Sequence, residues 1–169
     1  MVKSKSGIRG FFRINITEDG KGIVGDSGWC ENQITNDGIS QYLATWLVTG
    51  SGGKFVSHMA LGTGAAPAAA DTTLSGEIFD QFADATTNSR ASVATSIPGS
   101  KTAQFVASFL SANSFVTAAA GYNISNVGLF NSRLTSAGNV GTLFAGNTFA
   151  SSSCASNQNV NVTYAIQFS

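Results

Sequence analysis

The sequence predicts a mainly β protein: an antiparallel, jelly-roll-like β-sandwich with one amphipathic α-helix near residues 37–48. Two segments, 104–109 and 159–168, alternate between apolar and polar residues, so each presents one face to a core and the other to solvent. Eight or nine short strands separated by turn signals are typical of two packed sheets. One stretch with a 3.6-residue apolar period adds the helix.

Nine segments have the composition of strands. The first, Phe11–Ile16, is followed by Glu18-Asp19-Gly20, and an Asp-Gly pair between extended segments favours a hairpin with Lys21–Gly25. Pro98-Gly99-Ser100 predicts a second hairpin. The remaining predicted strands are Trp29–Gln33, Phe55–Leu61, Arg90–Ile97, Ala103–Leu110, Ile124–Phe130, Thr142–Phe149 and Val160–Phe168.

The predicted helix has a start signal, an apolar stripe and a stop signal. Thr35, Asn36 and Asp37 offer capping oxygens, and glycines from Gly50 onward end the periodic stretch. The apolar positions between them are Ile39, Tyr42, Leu43, Trp46 and Leu47. Such a stripe is typical of a helix that buries one face, so we expect it to close one end of the sheet structure.

The chain is predicted to form a single domain over residues 14–169, preceded by a flexible basic arm over residues 1–13. The arm is the predicted partner interface, although a disordered tail without a partner would have the same composition. Its candidate contact residues are Lys3, Lys5, Arg9, Phe11 and Arg13.

Two long loops, Gly62–Gly76 and Ser111–Gly121, interrupt the strand pattern, and loops of this length are usually functional or ordered by a partner. In the first loop, Gly62 and Gly64 permit unusual backbone angles and Pro67 restricts its own. Asp71 is predicted to cap a short turn. We therefore expect the first loop to lie across the body of the domain as a structural element.

Charged residues make up 11% of the 169 residues, and nine basic side chains balance nine acidic ones. A neutral chain without a basic cluster argues against nucleic acid as a partner and tolerates self-association. Every acidic residue lies at or before Asp84, so the C-terminal half is nearly uncharged. This composition suits a surface covered by neighbours, and a neutral monomer would share it. No stretch is long and apolar enough to predict a membrane span.

No set of residues predicts catalysis. Gly25-Asp26-Ser27-Gly28 resembles the serine loop of chymotrypsin-like proteases, but the single histidine, His58, lies downstream of the serine instead of upstream. Residues 50–54, GSGGK, suggest a phosphate loop, yet Phe55 stands where that motif needs a hydroxyl. The chain is therefore predicted not to be an enzyme and to need no cofactor.

Metal binding is not predicted either. The acidic residues Asp71, Glu77, Asp80 and Asp84 are close in sequence but lack the alternating oxygen-ligand spacing of a calcium loop. Cys30 and Cys154 lack a metal spacing; they could pair only if the fold brought them together, and free thiols in a reducing cytosol are the simpler interpretation.

Three groups of segments occur in an informative order. They are residues 34–39 (ITNDGI); residues 58–64 (HMALGTG) with 71–78 (DTTLSGEI); and residues 124–130 (ISNVGLF) with 141–145 (GTLFA) and the strand 160–168. Over roughly Ile34–Ser169 this succession resembles small structural proteins of tailed bacteriophage virions, which include head decoration (cement) proteins and tail or appendage components. Asn126 departs from the pattern, because an acidic residue is common there.

The resemblance implies a structural virion protein that binds the major capsid protein or another virion protein and is assembled in the host cytoplasm. It also implies self-association, with a trimer favoured. The most direct expectation is a capsid decoration protein that stabilises the assembled head. The alternatives are a tail, neck or fibre component of the same virion and, in a different class, a glycan-binding β-sandwich module.

Overall fold

The computed structural model describes residues 7–44, 54–78, 90–110, 123–133, 141–155 and 157–168. These residues contain ten strands and one helical turn. The strands are β1 (Ile8–Glu18), β2 (Gly22–Asp26), β3 (Cys30–Ile34), β4 (His58–Gly62), β5 (Ala91–Ser92), β6 (Ala94–Gly99), β7 (Thr102–Phe109), β8 (Asn123–Phe130), β9 (Leu143–Ser153) and β10 (Gln158–Phe168).

The predicted mainly β, antiparallel fold is confirmed. The described strands form one sheet in the order β5-β4-β8-β9-β3-β1-β10-β7-β6, with β2 added to β1, and this sheet is nearly closed into a barrel. The two ends of this order meet because β5 and β6 are separated only by Val93: Ala91 and Ser92 pair with β4, while Ala94 pairs with β7. The jelly-roll-like arrangement of two sheets stays a prediction.

The core is built from the inward-facing residues of strands along which buried and exposed positions alternate, as the period-2 pattern predicted. Phe12, Ile14 and Ile16 of β1 are buried, and Phe12 stacks on Tyr164 of β10 with ring centroids 5.8 Å apart. Burying one such side chain stabilises the fold by about 1.5–3 kcal/mol before entropy is subtracted. The β1–β10 ladder is therefore the centre of the core.

The prediction of a flexible arm up to residue 13 is wrong for residues 8–13. These residues begin β1, which pairs with β10 from Ile8↔Phe168 to Glu18↔Gln158 and with β3 over Gly10–Phe12. The physical reason is that the buried alternation includes Phe12, whose side chain is fully enclosed. The domain boundary predicted at residue 14 thus falls inside a central strand. Residues 1–6, including Lys3 and Lys5, lie outside the described residues.

Both predicted hairpins are confirmed. β1 pairs antiparallel with β2 across the Glu18–Lys21 turn; Gly20 within the turn and Gly22 at the start of β2 have positive φ angles of 79° and 80°. β6 pairs antiparallel with β7 across the Pro98-Gly99-Ser100 turn. The other predicted strands occur with bounds shifted by a few residues, except that the predicted strand Arg90–Ile97 is divided at Val93 into β5 and β6, which pair with different neighbours. The second predicted long loop, Ser111–Gly121, lies outside the described residues.

The predicted α-helix differs from the observed helical segment. A π-helical turn spans Gly38–Ala44, and Thr35 caps it by accepting a hydrogen bond at 2.9 Å from the N–H of Gly38. Tyr42 is buried against Phe144, but Ile39 is 49% exposed, because the wider i→i+5 turn does not keep the 3.6-residue stripe on one face. Residues 45–53, with Trp46 and Leu47, lie outside the described part.

Candidate functional site

The predicted contact residues Arg9, Phe11 and Arg13 lie on one face of β1, because they alternate with the buried residues Phe12 and Ile14. They join an outward surface that continues over two neighbouring strands, which we call the outer face. Its other members are Asn15 and Thr17 of β1; Asn159, Asn161, Thr163, Ala165 and Gln167 of β10; and Thr102, Gln104, Val106 and Ser108 of β7.

Two large apolar side chains lie on the outer face, one on each side of β10. Phe11 lies directly opposite Ala165, and Val106 lies opposite Thr163 on the adjoining ladder. Phe11 is half-buried and Val106 is 37% exposed. The outer face thus combines one aromatic and one β-branched side chain with polar residues, a mixture that protein interfaces also contain.

The polar rim is already hydrogen-bonded within the face. Ser108 donates to Asn161 at 2.7 Å, and Asn161 in turn donates to Thr17 at 3.1 Å, so a side-chain relay crosses β7, β10 and β1. Ser96 of β6 donates to Gln104 at 3.1 Å. Side chains held in this way present a fixed, ordered surface, which lowers the entropy lost when a partner binds.

The charges of the outer face are paired. Arg13 donates through Nε to Asp26 at 2.9 Å and through a second nitrogen to its other oxygen, while Arg9 lies 4.0 Å from Glu31. The hydrogen bond from Arg13, followed by the N–H of Gly28, lowers the pKa of Asp26 to about 2. The face therefore carries arginines without forming a basic patch, in keeping with a protein partner more than a phosphate backbone.

The loop Gly62–Gly76 lies across β8 and β9, in agreement with the prediction that it crosses the body of the domain. Thr63 donates from its backbone to Gly76 at 3.0 Å, and Leu143 of β9 donates to Thr72 at 3.0 Å. Asn126, fully buried, donates to the carbonyls of Ala65 at 3.2 Å and Ser75 at 2.8 Å. The loop is thus a fixed covering of the sheet.

The predicted loop residues have structural functions. Glycine is needed at Gly62 and Gly64 because other atoms approach closely, whereas the sequence predicted unusual backbone angles. Added Cβ atoms at Gly62 and Gly64 would lie 2.4 Å from Asn126 Oδ1 and 2.3 Å from the Ser75 carbonyl, so close approach requires glycine at both positions. Pro67 is buried beside Gly146. Asp71 accepts a hydrogen bond at 2.8 Å from the N–H of Ala68, which confirms its capping role.

Sequence reasoning missed the function of Glu77, which it considered only as a metal ligand. Glu77 forms a buried, two-pronged ion pair with Arg90, at 2.7 and 2.9 Å. No sequence signal joins the two residues. Among the described residues no cluster of three metal-ligating side chains occurs; Asp80 and Asp84 lie outside them.

The candidate residues of the protease-like and phosphate-loop motifs, Ser27, His58 and Lys54, form hydrogen bonds with other residues of the fold and not with one another. Ser27 donates to the carbonyl of Gly28 and accepts from the N–H of Ile14, whereas His58 Nδ1 lies 2.8 Å from Ser57 Oγ. Burial, and then the charges of Arg90 and Arg133, lower the pKa of His58. Lys54 of the glycine-rich stretch donates to Thr142. The absence of enzyme activity stays a prediction.

Both cysteines are free thiols, and burial raises the pKa of Cys154 to about 11. In the part of the chain that the structure describes, no helix is long and apolar enough to cross a membrane. Comparison of the chain with protein-family models, curated proteins and solved structures gives no match.

Proposed function

We propose that this chain is a structural protein of a tailed-phage virion, a decoration protein that binds the assembled head through its outer face. The observation that carries the proposal is an ordered, nearly uncharged outer face, in which Phe11 and Val106 lie among polar side chains that hydrogen-bond one another. The order of the sequence segments that resemble phage structural proteins is the second support.

The chemistry of the outer face suits a function that consists of contact. The net charge of the chain is zero, so copies packed densely on a shell repel one another little. A protein that binds the assembled shell more tightly than free subunits stabilises it by mass action, by about 4 kcal/mol per site at a thousandfold excess over Kd. The partner in this proposal is the major capsid protein, with self-association, as a trimer, around a symmetry axis.

The test compares particles with and without the chain for their survival of heating and osmotic shock. We expect particles that lack the chain to lose their contents at lower temperature. The variant Phe11→Ser should bind particles more weakly, whereas Phe55→Ser, at a position 70% exposed in the segment before β4, should bind like wild type. Thermal melts of both variants check that they fold. Equal survival of both kinds of particle would refute the head-decoration proposal.

The same particles distinguish head decoration from the alternative function as a tail, neck or fibre component. Gold labelling of the chain on intact virions should place it on the head. Label found only on the tail or neck would mean that the chain is a virion component but does not decorate the head.

Glycan binding is a second candidate function, and Trp29 favours it. The sequence placed this residue in a strand or core, but its side chain is 53% exposed in the connection before β3. An exposed indole can stack on the apolar face of a sugar ring. A glycan array probed with wild type and Trp29→Ala tests this candidate, and an array without hits removes it.

A further inference from the structure

Two Asp-Gly pairs occur in the sequence, Asp19-Gly20 and Asp37-Gly38, and the fold places them in different environments. In such a pair the aspartyl carboxyl group and the next backbone nitrogen can react with each other, because glycine has no Cβ to obstruct the nitrogen. The two pairs therefore allow the same chemistry to be compared at an open and at a restrained position.

Asp19 and Gly20 form the exposed tip of the β1–β2 hairpin, and a hydrogen bond of 3.0 Å from the N–H of Lys21 to the carbonyl of Glu18 closes the turn behind them. Among the described residues, none accepts a hydrogen bond from the N–H of Gly20. A Cβ built on Gly20 would meet nothing within 4 Å, and the Asp19 carboxylate has only a long contact, 3.5 Å, with the Asn159 amide. Both reacting groups are therefore open to solvent and weakly restrained.

Asp37-Gly38 lies at the start of the π-helical turn, and its glycine is buried. The N–H of Gly38 donates to the hydroxyl of Thr35 at 2.9 Å, and a Cβ built on Gly38 would collide with the carbonyl oxygen of Phe144. The hydrogen bond and the packing hold this nitrogen in place, so it can react only after the helical turn opens.

The two other described aspartates are held by hydrogen bonds, and neither precedes a glycine. Asp26 accepts from Nε of Arg13 and from the N–H of Gly28, each at 2.9 Å. Asp71 accepts from the N–H of Ala68 at 2.8 Å. Among the described aspartates, Asp19 thus combines the least restrained carboxylate with the least obstructed neighbouring nitrogen.

We propose that Asp19 is a site of spontaneous covalent modification, at which aspartate is converted to isoaspartate through a succinimide. The nitrogen of Gly20 attacks Cγ of Asp19 and forms a C–N bond, while the carboxyl OH takes up the amide proton and leaves as water. A second water then adds to the α-carbonyl carbon of residue 19, and the bond from that carbon to the nitrogen breaks. The nitrogen regains a proton, and no oxidant, reductant or metal is consumed.

The product changes the tip of the hairpin, because the main chain then runs through Cβ of residue 19. One extra methylene lies between Glu18 and Lys21, whose backbone hydrogen bond and 2.7 Å ion pair close the turn in the unmodified chain. We expect the modification to loosen this end of β1 and β2 and to leave the β1–β10 ladder intact, because β10 pairs along the other edge of β1. The proposal depends only on this turn and holds whether or not the chain belongs to a virion.

The test incubates the folded, full-length chain at neutral pH and body temperature for several weeks. Peptide mapping by mass spectrometry, with electron-transfer fragmentation, distinguishes isoaspartate from aspartate at each position. We expect isoaspartate to accumulate at Asp19 about tenfold or more faster than at Asp37, because only Asp37 must wait for local opening. In the modified fraction, amide hydrogen exchange at Lys21 should become about tenfold faster, and exchange at Tyr164 of β10 should stay unchanged.

The same chain in guanidinium chloride is the first control, since unfolding gives both Asp-Gly pairs the same environment and their rates should agree within about twofold. The second control is Asp19→Glu, whose longer side chain would need a six-membered ring; it should remove the signal at residue 19 and keep the wild-type melting curve, because this position is exposed.

Four outcomes would overturn the proposal. They are the lack of isoaspartate at Asp19 in the folded chain, equal rates at Asp19 and Asp37 in the folded chain, and an equally large preference for Asp19 in guanidinium chloride, which would make the sequence and not the fold its cause. The fourth is an unchanged isoaspartate signal in Asp19→Glu, which would assign the modification to another residue.

Discussion

The guanidinium of Arg90 forms an ion pair with the carboxylate of Glu77, and both side chains are almost fully buried. The central carbon of the guanidinium, Cζ, lies 3.4 Å from the ring centre of Phe130. Arg90 also donates to the carbonyl of Ser132 at 3.0 Å. One cation thereby joins the end of the loop that covers the sheet to β8 and to the start of β5. A charge removed from water to this extent is tolerated only while its partner is present.

Replacement of one partner should therefore be costly. Glu77→Gln leaves the guanidinium without its counter-charge, and we expect a loss of about 3–5 kcal/mol of unfolding free energy, measured by urea denaturation. The double variant Glu77→Leu with Arg90→Met removes both charges and should lose less than the sum of the single variants. Strict additivity would contradict a coupled buried pair.

Asn126 gives a second prediction, because its amide donates to two loop carbonyls from a fully buried position. Asn126→Asp would place a carboxylate against those oxygens and should cost about 2–3 kcal/mol or more at neutral pH. Burial raises the pKa of the introduced carboxyl, so its protonated form is favoured in the folded state and the loss should grow as the pH rises.

The control is Asn123→Asp at the exposed start of the same strand, where we expect a change within about 0.5 kcal/mol. Urea titrations of both variants at acid and neutral pH make the comparison. A loss of stability for Asn126→Asp that is independent of pH would show that the carboxylate charge is not the cause.

Asp26 should titrate near pH 2, because Arg13 and the N–H of Gly28 stabilise its charged form. A carboxyl whose pKa is lowered by folding contributes stability above its ordinary pKa and loses it as the pH falls towards the folded value. In Arg13→Gln the pKa of Asp26 should rise towards its ordinary value and remain below it while Gly28 still donates. NMR titration of the Asp26 carboxyl carbon measures this pKa in the wild type and in the variant. An unchanged pKa in Arg13→Gln would refute the ion pair between Arg13 and Asp26.

Gly62 should not tolerate even a methyl group. In Gly62→Ala the new Cβ would lie 2.4 Å from Asn126 Oδ1 and 2.8 Å from the carbonyl of Gly76, so the loop must shift. We expect a cost of about 1–3 kcal/mol, seen as a lower melting temperature. Gly99→Ala, with nothing within 4 Å, is the matched control and should melt within a degree or two of wild type.

The sequence predicted the strands better than their arrangement. Alternation in 104–109 and 159–168 identified two strands because each has one face in the core, and Asp19-Gly20 identified a hairpin because its geometry is local. The first residues of β1, Ile8–Gly10, escaped prediction, since they show no alternation and Arg9, with the two lysines before it, suggested an arm. The near-closure of the sheet through Val93 could not be predicted from the sequence, because it depends on pairing between residues that are distant in the chain.

The candidate site was predicted in part. Arg9, Phe11 and Arg13 were selected as contact residues, and they share the outer face. No pattern in the sequence groups them with Asn161 or Val106, which strand pairing alone brings onto the same face.

The ladder between β1 and β10 has a consequence for how the chain acquires its shape. Thr17 and Asn161, hydrogen-bonded across it, are 144 positions apart in the sequence. Because the central strand pairs along its whole length with a strand that is synthesised about 140 residues later, folding of the barrel must wait for Gln158–Phe168 to leave the ribosome. Until then the apolar side of β1 is exposed, so a nascent chain stalled before that strand is a substrate for chaperones and proteases.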